Sequence, residues 1–132
     1  MMPRGITKFC RDNNIELLVL FGSAAGDRAE GARDVDIAIK PIDGTTASKL
    51  ELIYKLEVFF KEKQIDIVVL SADTDPLLLH EIFKGQCLYE KKKGLFKHEK
   101  LRAWKLYLDT KKIRNLRNQY LKVFARKASH VA

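Results

Sequence analysis

Three aspartates stand where carboxylates are unusual. Asp34 and Asp36 lie two residues apart at the head of the run Asp-Val-Asp-Ile-Ala-Ile-Lys, and Asp66 lies inside the apolar run Ile-Asp-Ile-Val-Val-Leu. Carboxylates are disfavoured in strands and repel one another when they are side by side. An isolated buried carboxylate is costly or becomes protonated. Such a grouping usually has a cation to balance it, and oxygen ligands favour Mg²⁺ or Mn²⁺ over zinc.

The patterns around these aspartates predict the strands that position them. Residues 34–40 alternate with a period of two, which is typical of a strand, so Asp34 and Asp36 share one face while Val35 points into the core. Residues 65–70 form another apolar strand. If the two strands are neighbours, Asp66 joins the other carboxylates. Three converging carboxylates can hold two metal ions roughly 3.5–4 Å apart, as in polymerases.

A glycine–serine pair follows the first predicted strand. Residues 15–21 are a nearly continuous apolar run, which suits a strand buried on both faces and stops at Gly22 and Ser23. Glycine lets the backbone approach a phosphate, and a serine hydroxyl with neighbouring N–H groups can bind phosphate oxygens. Alone, Gly-Ser is an ordinary turn and Asp-Val-Asp is equally an exposed strand end. Their order along the chain favours a phosphate-transfer site.

The remaining segments predict one small domain with helices around the strands. The predicted helices cover about residues 3–13, 46–63, 75–84 and 94–127, and a fourth strand covers 86–90. Thr45 or Thr46 is the predicted cap of the second helix, and one of residues 73–75 caps the third. A 30-residue helix is roughly 45 Å long, so the last one should overhang the domain, with a bend near Asp109. We expect residues 1–93 to form the main domain and residues 94–132 a basic helical extension.

The charge is unevenly spread along the chain. The net charge is +8, and residues 91–132 hold 14 lysines and arginines against two acidic residues. A basic tail implies an acidic partner such as RNA, DNA or a protein surface, or else a solvated helix. No apolar run reaches the roughly 18–20 residues of a membrane helix, and the first residues lack a signal peptide's apolar stretch. We expect a cytoplasmic protein with no membrane contact, with Cys10 and Cys87 as free thiols.

In combination, these motifs resemble the signature of the polymerase-beta-like nucleotidyltransferases. The shared pattern is Gly22-Ser23, a ten-residue spacer, Asp34-Val-Asp36 and the later strand residue Asp66. The short chain resembles the minimal branch, the MNT proteins, and residues 76–90 and 106–109 resemble MntA-type antitoxins of HEPN/MNT toxin–antitoxin systems. The resemblance covers roughly residues 15–110. It implies an α/β (α+β) fold, with a small mixed sheet flanked by helices and a long C-terminal helix.

The resemblance also implies a function. MntA-type proteins transfer AMP from ATP to a tyrosine hydroxyl of a HEPN-domain ribonuclease toxin and thereby neutralise it. Carried over to this sequence, Gly22 and Ser23 would hold the ATP phosphates, and Asp34 and Asp36 would bind two Mg²⁺ ions. Asp66 would bind the catalytic ion and take the proton from the attacking hydroxyl.

Other interpretations stay open at this point. The chain could be a non-catalytic antitoxin that acts by complex formation, or a small-molecule nucleotidyltransferase of the aminoglycoside-modifying kind. Many relatives carry arginine at the position of Gly26 and serine at that of Arg33, and Arg28 or Arg33 could supply the basic group near the triphosphate instead. The basic C-terminal helix could dock the toxin, contact RNA or form a solvated face. The sequence does not determine the oligomeric state.

Overall fold

A four-stranded sheet flanked by helices makes up the described part of the chain. The computed structural model describes residues 4–22, 34–45, 48–61 and 63–130, with side chains up to residue 128. The elements in chain order are α1 (Ile6–Asp12), β1 (Ile15–Phe21), β2 (Asp34–Pro41), α2 (Lys49–Leu56), β3 (Gln64–Val69), α3 (Pro76–Ile82), β4 (Gln86–Glu90) and α4 (Leu95–His130). The fold is therefore the predicted small mixed sheet with a long C-terminal helix.

The strand order places the sequence motifs at one end of the sheet. The order is β3-β2-β1-β4, with β2 and β3 parallel and the other pairs antiparallel. In this register Asp36 lies opposite Phe21 on one side and opposite Asp66 on the other. The last residue of β1 and the first residues of β2 and β3 consequently meet at the same end.

Both faces of the sheet carry a hydrophobic core. On one face α1 and α2 cover a cluster that includes Ile6, Phe9, Cys10, Leu18, Leu20, Val35, Ile37, Ile39, Leu52, Leu56, Ile67 and Leu88. On the other face α3 and α4 cover Leu17, Val19, Phe21, Ala38, Leu79, Ile82, Phe83 and Ala103. Strand β1 contributes to both clusters because it is central, which accounts for its nearly continuous apolar run. The alternation in β2 sends Val35 into the first core and leaves the aspartates on the opposite face.

The two cysteines are free thiols, as the sequence predicts. Cys10 is buried on the core side of α1 and Cys87 is half-buried on β4. Burial, with a smaller contribution from the charge of Cys87, raises the pKa of Cys10 to about 12, so this thiol stays protonated at neutral pH.

Helix α2 is shorter than the predicted helix over 46–63. It begins after Ser48, whose hydroxyl accepts the N–H of Glu51 at 3.4 Å, and it ends at Leu56. Beyond that point Phe59 packs edge-on against Phe9 of α1, with ring centroids 5.6 Å apart. This ring contact fixes the chain against α1 where the helical pattern would continue, so tertiary packing overrides the local periodicity.

A partly buried lysine ties three elements together. Lys40 on β2 pairs with Glu16 on β1, and its ammonium nitrogen lies 3.9 Å from a carboxylate oxygen of Glu99 on α4. Burial lowers the pKa of Lys40, but the hydrogen bond and charge of Glu16, with the charges of Glu99 and Asp43, outweigh it and raise the pKa overall. The lysine therefore keeps its charge and links α4 to the sheet.

Helix α4 is anchored at its start. The Glu90 carboxylate accepts the N–H of Gly94 at 3.1 Å and that of Phe96 at 2.9 Å. These amides have no partner within the helix, so the carboxylate caps its positive end. Further along, Tyr107 stacks on His80 of α3 with centroids 3.9 Å apart.

The second half of α4 extends beyond the domain. The helix is unbroken through residues 109–110, where the sequence suggests a bend. Every side chain from 115 to 128 is exposed, so this part adds nothing to the two hydrophobic cores and overhangs as its length predicts. No helix among the described residues has both the length and the apolar composition needed to cross a membrane.

Candidate active site

The three aspartates line one pocket at the end of the sheet. The pocket has a volume of about 400 Å³, and its lining comprises Asp34, Asp36, Gln64, Ile65 and Asp66. Asp34 and Asp36 share a face because they are two residues apart on β2, and Asp66 follows because β3 runs parallel to β2 in register. Gln64 and Ile65 belong to the pocket through the same pairing, although their side chains gave no chemical signal in the sequence.

Asp36 occupies the most enclosed of the three positions. It is half-buried, whereas Asp34 and Asp66 are exposed. Burial raises the pKa of Asp36 above its ordinary value, and the negative charges of Asp66 and Asp34 raise it further. The fold thus holds like charges together at a cost in free energy, which a cation at this position would offset.

Gly22 brings the end of β1 against Asp36. Its φ of +74° lies in the left-handed region, where residues with a Cβ are strained. A Cβ added at Gly22 would lie 2.5 Å from the Asp36 Oδ2 atom, far inside van der Waals contact. The absence of a side chain at Gly22 therefore lets the glycine–serine turn and the carboxylate lie side by side. The sequence predicts Gly22 as a phosphate-binding residue, and the structure adds this contact with Asp36.

Gly85, in the turn before β4, lies against the same end of β1 as Gly22 does. It lies in the turn that follows Phe83, the C-terminal cap of α3. A Cβ added at Gly85 would lie 2.9 Å from the Phe21 Cα atom, next to Gly22. The turn between α3 and β4 can approach β1 this closely because Gly85 has no side chain.

Several predicted site residues lie outside the described part of the chain. These are Ser23, Gly26, Arg28 and Arg33. The phosphate-binding role of Ser23 and the replacement of a basic group by Arg28 or Arg33 therefore remain predictions.

The described side chains do not form a finished metal site. Within residues 4–22, 34–45, 48–61 and 63–130, no group of three His, Cys, Asp or Glu side chains is arranged to hold a metal ion. The donors nevertheless suit Mg²⁺ by their chemistry, because the pocket offers carboxylate oxygens with neither sulfur nor imidazole among its lining residues. The assignment of Asp34, Asp36 and Asp66 as metal ligands remains a prediction.

Solved structures of toxin–antitoxin complexes contain chains with this fold. A chain of a toxin–antitoxin complex with AMP-PNP is 22% identical, with a TM-score of 0.68 over 86% of this chain and 93% of that chain. A chain of the MntA–HepT toxin–antitoxin complex is 20% identical, with a TM-score of 0.64 over 86% and 91%. A chain of a complex between a tri-AMPylated Shewanella oneidensis HEPN toxin and an MNT antitoxin is 21% identical, with a TM-score of 0.64 over 86% and 90%. At these identities the likeness shows the fold.

The family of this chain is shown by the match of its sequence to a family model. No curated protein matches the chain significantly. The family model described as polymerase beta, nucleotidyltransferase matches residues 4–94, which include the glycine–serine turn and all three aspartates. The predicted nucleotidyltransferase class is thereby confirmed, and the chain belongs to the polymerase-beta nucleotidyltransferase family.

Proposed function

We propose that this protein is a Mg²⁺-dependent adenylyltransferase antitoxin, which transfers AMP from ATP to a tyrosine hydroxyl of a HEPN-domain ribonuclease toxin. The observation that carries the proposal is the shared pocket of Asp34, Asp36 and Asp66 beside Gly22, in a chain of this family. The fold likeness to complexes that contain AMP-PNP or an AMPylated HEPN toxin supports ATP as the nucleotide and a HEPN protein as the partner.

In the proposed reaction, each residue of the glycine–serine turn and each aspartate of the pocket has a binding role. Gly22 and Ser23 would bind the ATP phosphates through backbone N–H groups and the serine hydroxyl. Asp34 and Asp36 would hold two Mg²⁺ ions, and Asp66 would hold the catalytic one. When bound, Mg²⁺ would neutralise charge on the α-phosphate and on the departing pyrophosphate. The raised pKa of Asp36 is the expected property of a carboxylate placed to bind a cation beside two others.

The transfer step is a substitution at the α-phosphorus. The tyrosine oxygen forms a bond to that phosphorus, the bond to the bridging oxygen breaks, and pyrophosphate leaves. The Asp66 carboxylate accepts the hydroxyl proton. Asp66 is exposed, so a side chain presented by a folded partner can reach it. Residues 1–93 would supply this chemistry, and residues 94–132 would form a basic helical extension packed on or projecting from the same domain.

A label-transfer experiment tests the proposal. The protein is incubated with Mg²⁺, ATP labelled at the α-phosphate and the product of the adjacent gene. We expect label on the partner with the wild type and none with the double variant Asp34→Asn/Asp36→Asn. Asp73→Asn is the matched control, because Asp73 is an exposed carboxylate beyond the opposite end of β3. It should label the partner as the wild type does.

Two results would replace the proposal with another function. Full neutralisation of the partner without ATP, and without label, would identify a non-catalytic antitoxin that acts by complex formation. Transfer of AMP to an aminoglycoside in the absence of any protein partner would identify a small-molecule nucleotidyltransferase.

A further inference from the structure

The overhanging part of α4 carries a row of exposed apolar side chains. We call residues 111–128 the distal segment. In it Ile113, Leu116 and Tyr120 are 68%, 66% and 71% exposed, and Val123 and Phe124 continue the row. Spacings of three and four residues place these side chains along one side of the helix. A row this long has no covering element in the described part of the chain.

Exposure on this scale distinguishes the distal segment from an ordinary solvated helix. Single exposed apolar residues are normal on protein surfaces, but contiguous apolar patches mark interaction sites. Apart from Arg114, which lies over the Tyr107 ring, the described side chains of the distal segment are exposed, so the core does not require the apolar row. A purely solvated helix would be expected to present polar residues on all sides. The row therefore fits a surface that another molecule covers.

The charges of the distal segment identify the kind of molecule. Residues 110–132 contain seven lysines and arginines and no acidic residue. At 100° per residue, Lys112 and Arg117 flank the two sides of the apolar row. Pairing with a second copy would bring two such basic surfaces together, and like charges in an interface are strongly unfavourable. RNA phosphates would meet the basic residues but would leave the aliphatic members of the row, Ile113, Leu116 and Val123, without a counterpart.

We propose that the distal segment docks, by its apolar row, into an apolar groove with an acidic rim on a partner protein. This is the mode in which an amphipathic helix lies in a groove, anchored by residues three and four positions apart. The proposal rests on the proposed function in one respect, which is that it takes the partner to be the protein that accepts AMP. Docking through α4 would hold that acceptor on the same chain as the aspartate pocket and raise its effective concentration there.

Binding measurements on the full-length protein test this docking surface. The affinity for the product of the adjacent gene is measured by calorimetry for the wild type, Leu116→Ser/Tyr120→Ser and Lys112→Glu/Arg117→Glu. All four side chains are exposed, so the variants should fold, and circular dichroism checks this. Each double variant should weaken binding at least about tenfold, as truncation of interface anchors does. Asn118→Ser, on the opposite side of the helix, should change the Kd less than about twofold.

Three kinds of result would overturn the inference. The first concerns the affinity for the partner: either both double variants bind with the wild-type Kd, or the wild type does not bind at all. A second is self-association of the wild type that Leu116→Ser/Tyr120→Ser abolishes, which would make a second copy the occupant. A third is displacement of the partner by an RNA oligonucleotide that binds the same row. A tight complex that depends on the row but shows no AMP transfer would support this inference and refute the proposed function. AMP transfer with an unchanged Kd in the variants would support the proposed function and refute this inference.

Discussion

Gly22→Ala tests whether the geometry of the site affects the rate of AMP transfer separately from the stability of the fold. The added Cβ would start 2.5 Å from Asp36 Oδ2, and ordinary contact begins at 3.4 Å, so one group must move by about 0.9 Å. A misplacement of about 1 Å in a catalytic site can reduce activity by about 100-fold. The left-handed backbone adds a cost of about 1–2 kcal/mol to the folded state.

Gly44→Ala is the matched control for this experiment. Gly44 also has a left-handed backbone, with φ +84°, but no described atom lies within 4 Å of an added Cβ. It therefore carries the backbone cost without the contact with Asp36. Urea denaturation should show Gly44→Ala destabilised by about 1–2 kcal/mol and Gly22→Ala by at least as much. Label transfer should fall about 100-fold in Gly22→Ala and stay near the wild-type rate in Gly44→Ala.

The result that refutes this reasoning is equal activity in the two variants. If Gly22→Ala transfers AMP as fast as Gly44→Ala does, the close approach of Gly22 to Asp36 has no role in positioning the carboxylate.

Three further predictions follow from the charges and caps described above. Asp36→Asn should abolish transfer yet raise the free energy of unfolding in metal-free protein. The pKa of Asp36 is raised by burial and then by the two neighbouring aspartates, so its ionised form costs stability. The gain should therefore grow as the pH rises through that raised pKa and stay constant above it, as urea denaturation at several pH values would show. Lys40→Met should destabilise the fold by about 1–3 kcal/mol, since it leaves the half-buried Glu16 carboxylate without its partner, whereas Glu99 keeps its pair with Arg102. Lys84→Met, which breaks an exposed pair with Glu81, should cost less than about 0.5 kcal/mol in the same assay. Glu90→Ala should cost about 0.5–2 kcal/mol, and it should speed hydrogen exchange in the first turn of α4 because the cap is lost.

The strands were the most predictable part of the fold. The apolar run 15–21 and the short strand 86–90 have the predicted bounds, because each lies between polar or glycine-containing turns. The alternation in 34–40 correctly separates Val35 from the two aspartates. These signals are local, because the pattern of apolar and polar residues along a strand predicts whether one or both of its faces are buried.

Helix α2 shows where local periodicity fails. Leu50 shares a helical spacing with Ile53 and Leu56, which predicts that it faces the core, yet it is 81% exposed and Leu52 is buried. Ser48 caps the helix, and Thr45, one of the two predicted caps, instead donates its hydroxyl to the Ile42 carbonyl. The burial of each helix face depends on how α2 lies against α1 and the sheet. That orientation is a tertiary property, which the spacing of apolar residues alone does not determine.

The candidate site was predictable by residue type but not by contact. Aspartates two apart on a strand identify their own shared face, so the grouping of Asp34 with Asp36 required no tertiary information. The pairing of Asp36 with Asp66 depended on the strand order, which the sequence left conditional. The contacts of Gly22 with Asp36, and of Gly85 with the end of β1, depend on register between distant segments. No local pattern carries that register.

The central claim, that the aspartate pocket performs transfer to a tyrosine, is tested most directly by locating the product. The partner protein is incubated with ATP, Mg²⁺ and either the wild type or Asp66→Asn, digested, and analysed by mass spectrometry. The account predicts AMP on a tyrosine of the partner with the wild type and no adduct with Asp66→Asn. An adduct formed equally by the variant, or AMP found only on residues other than tyrosine, would contradict it.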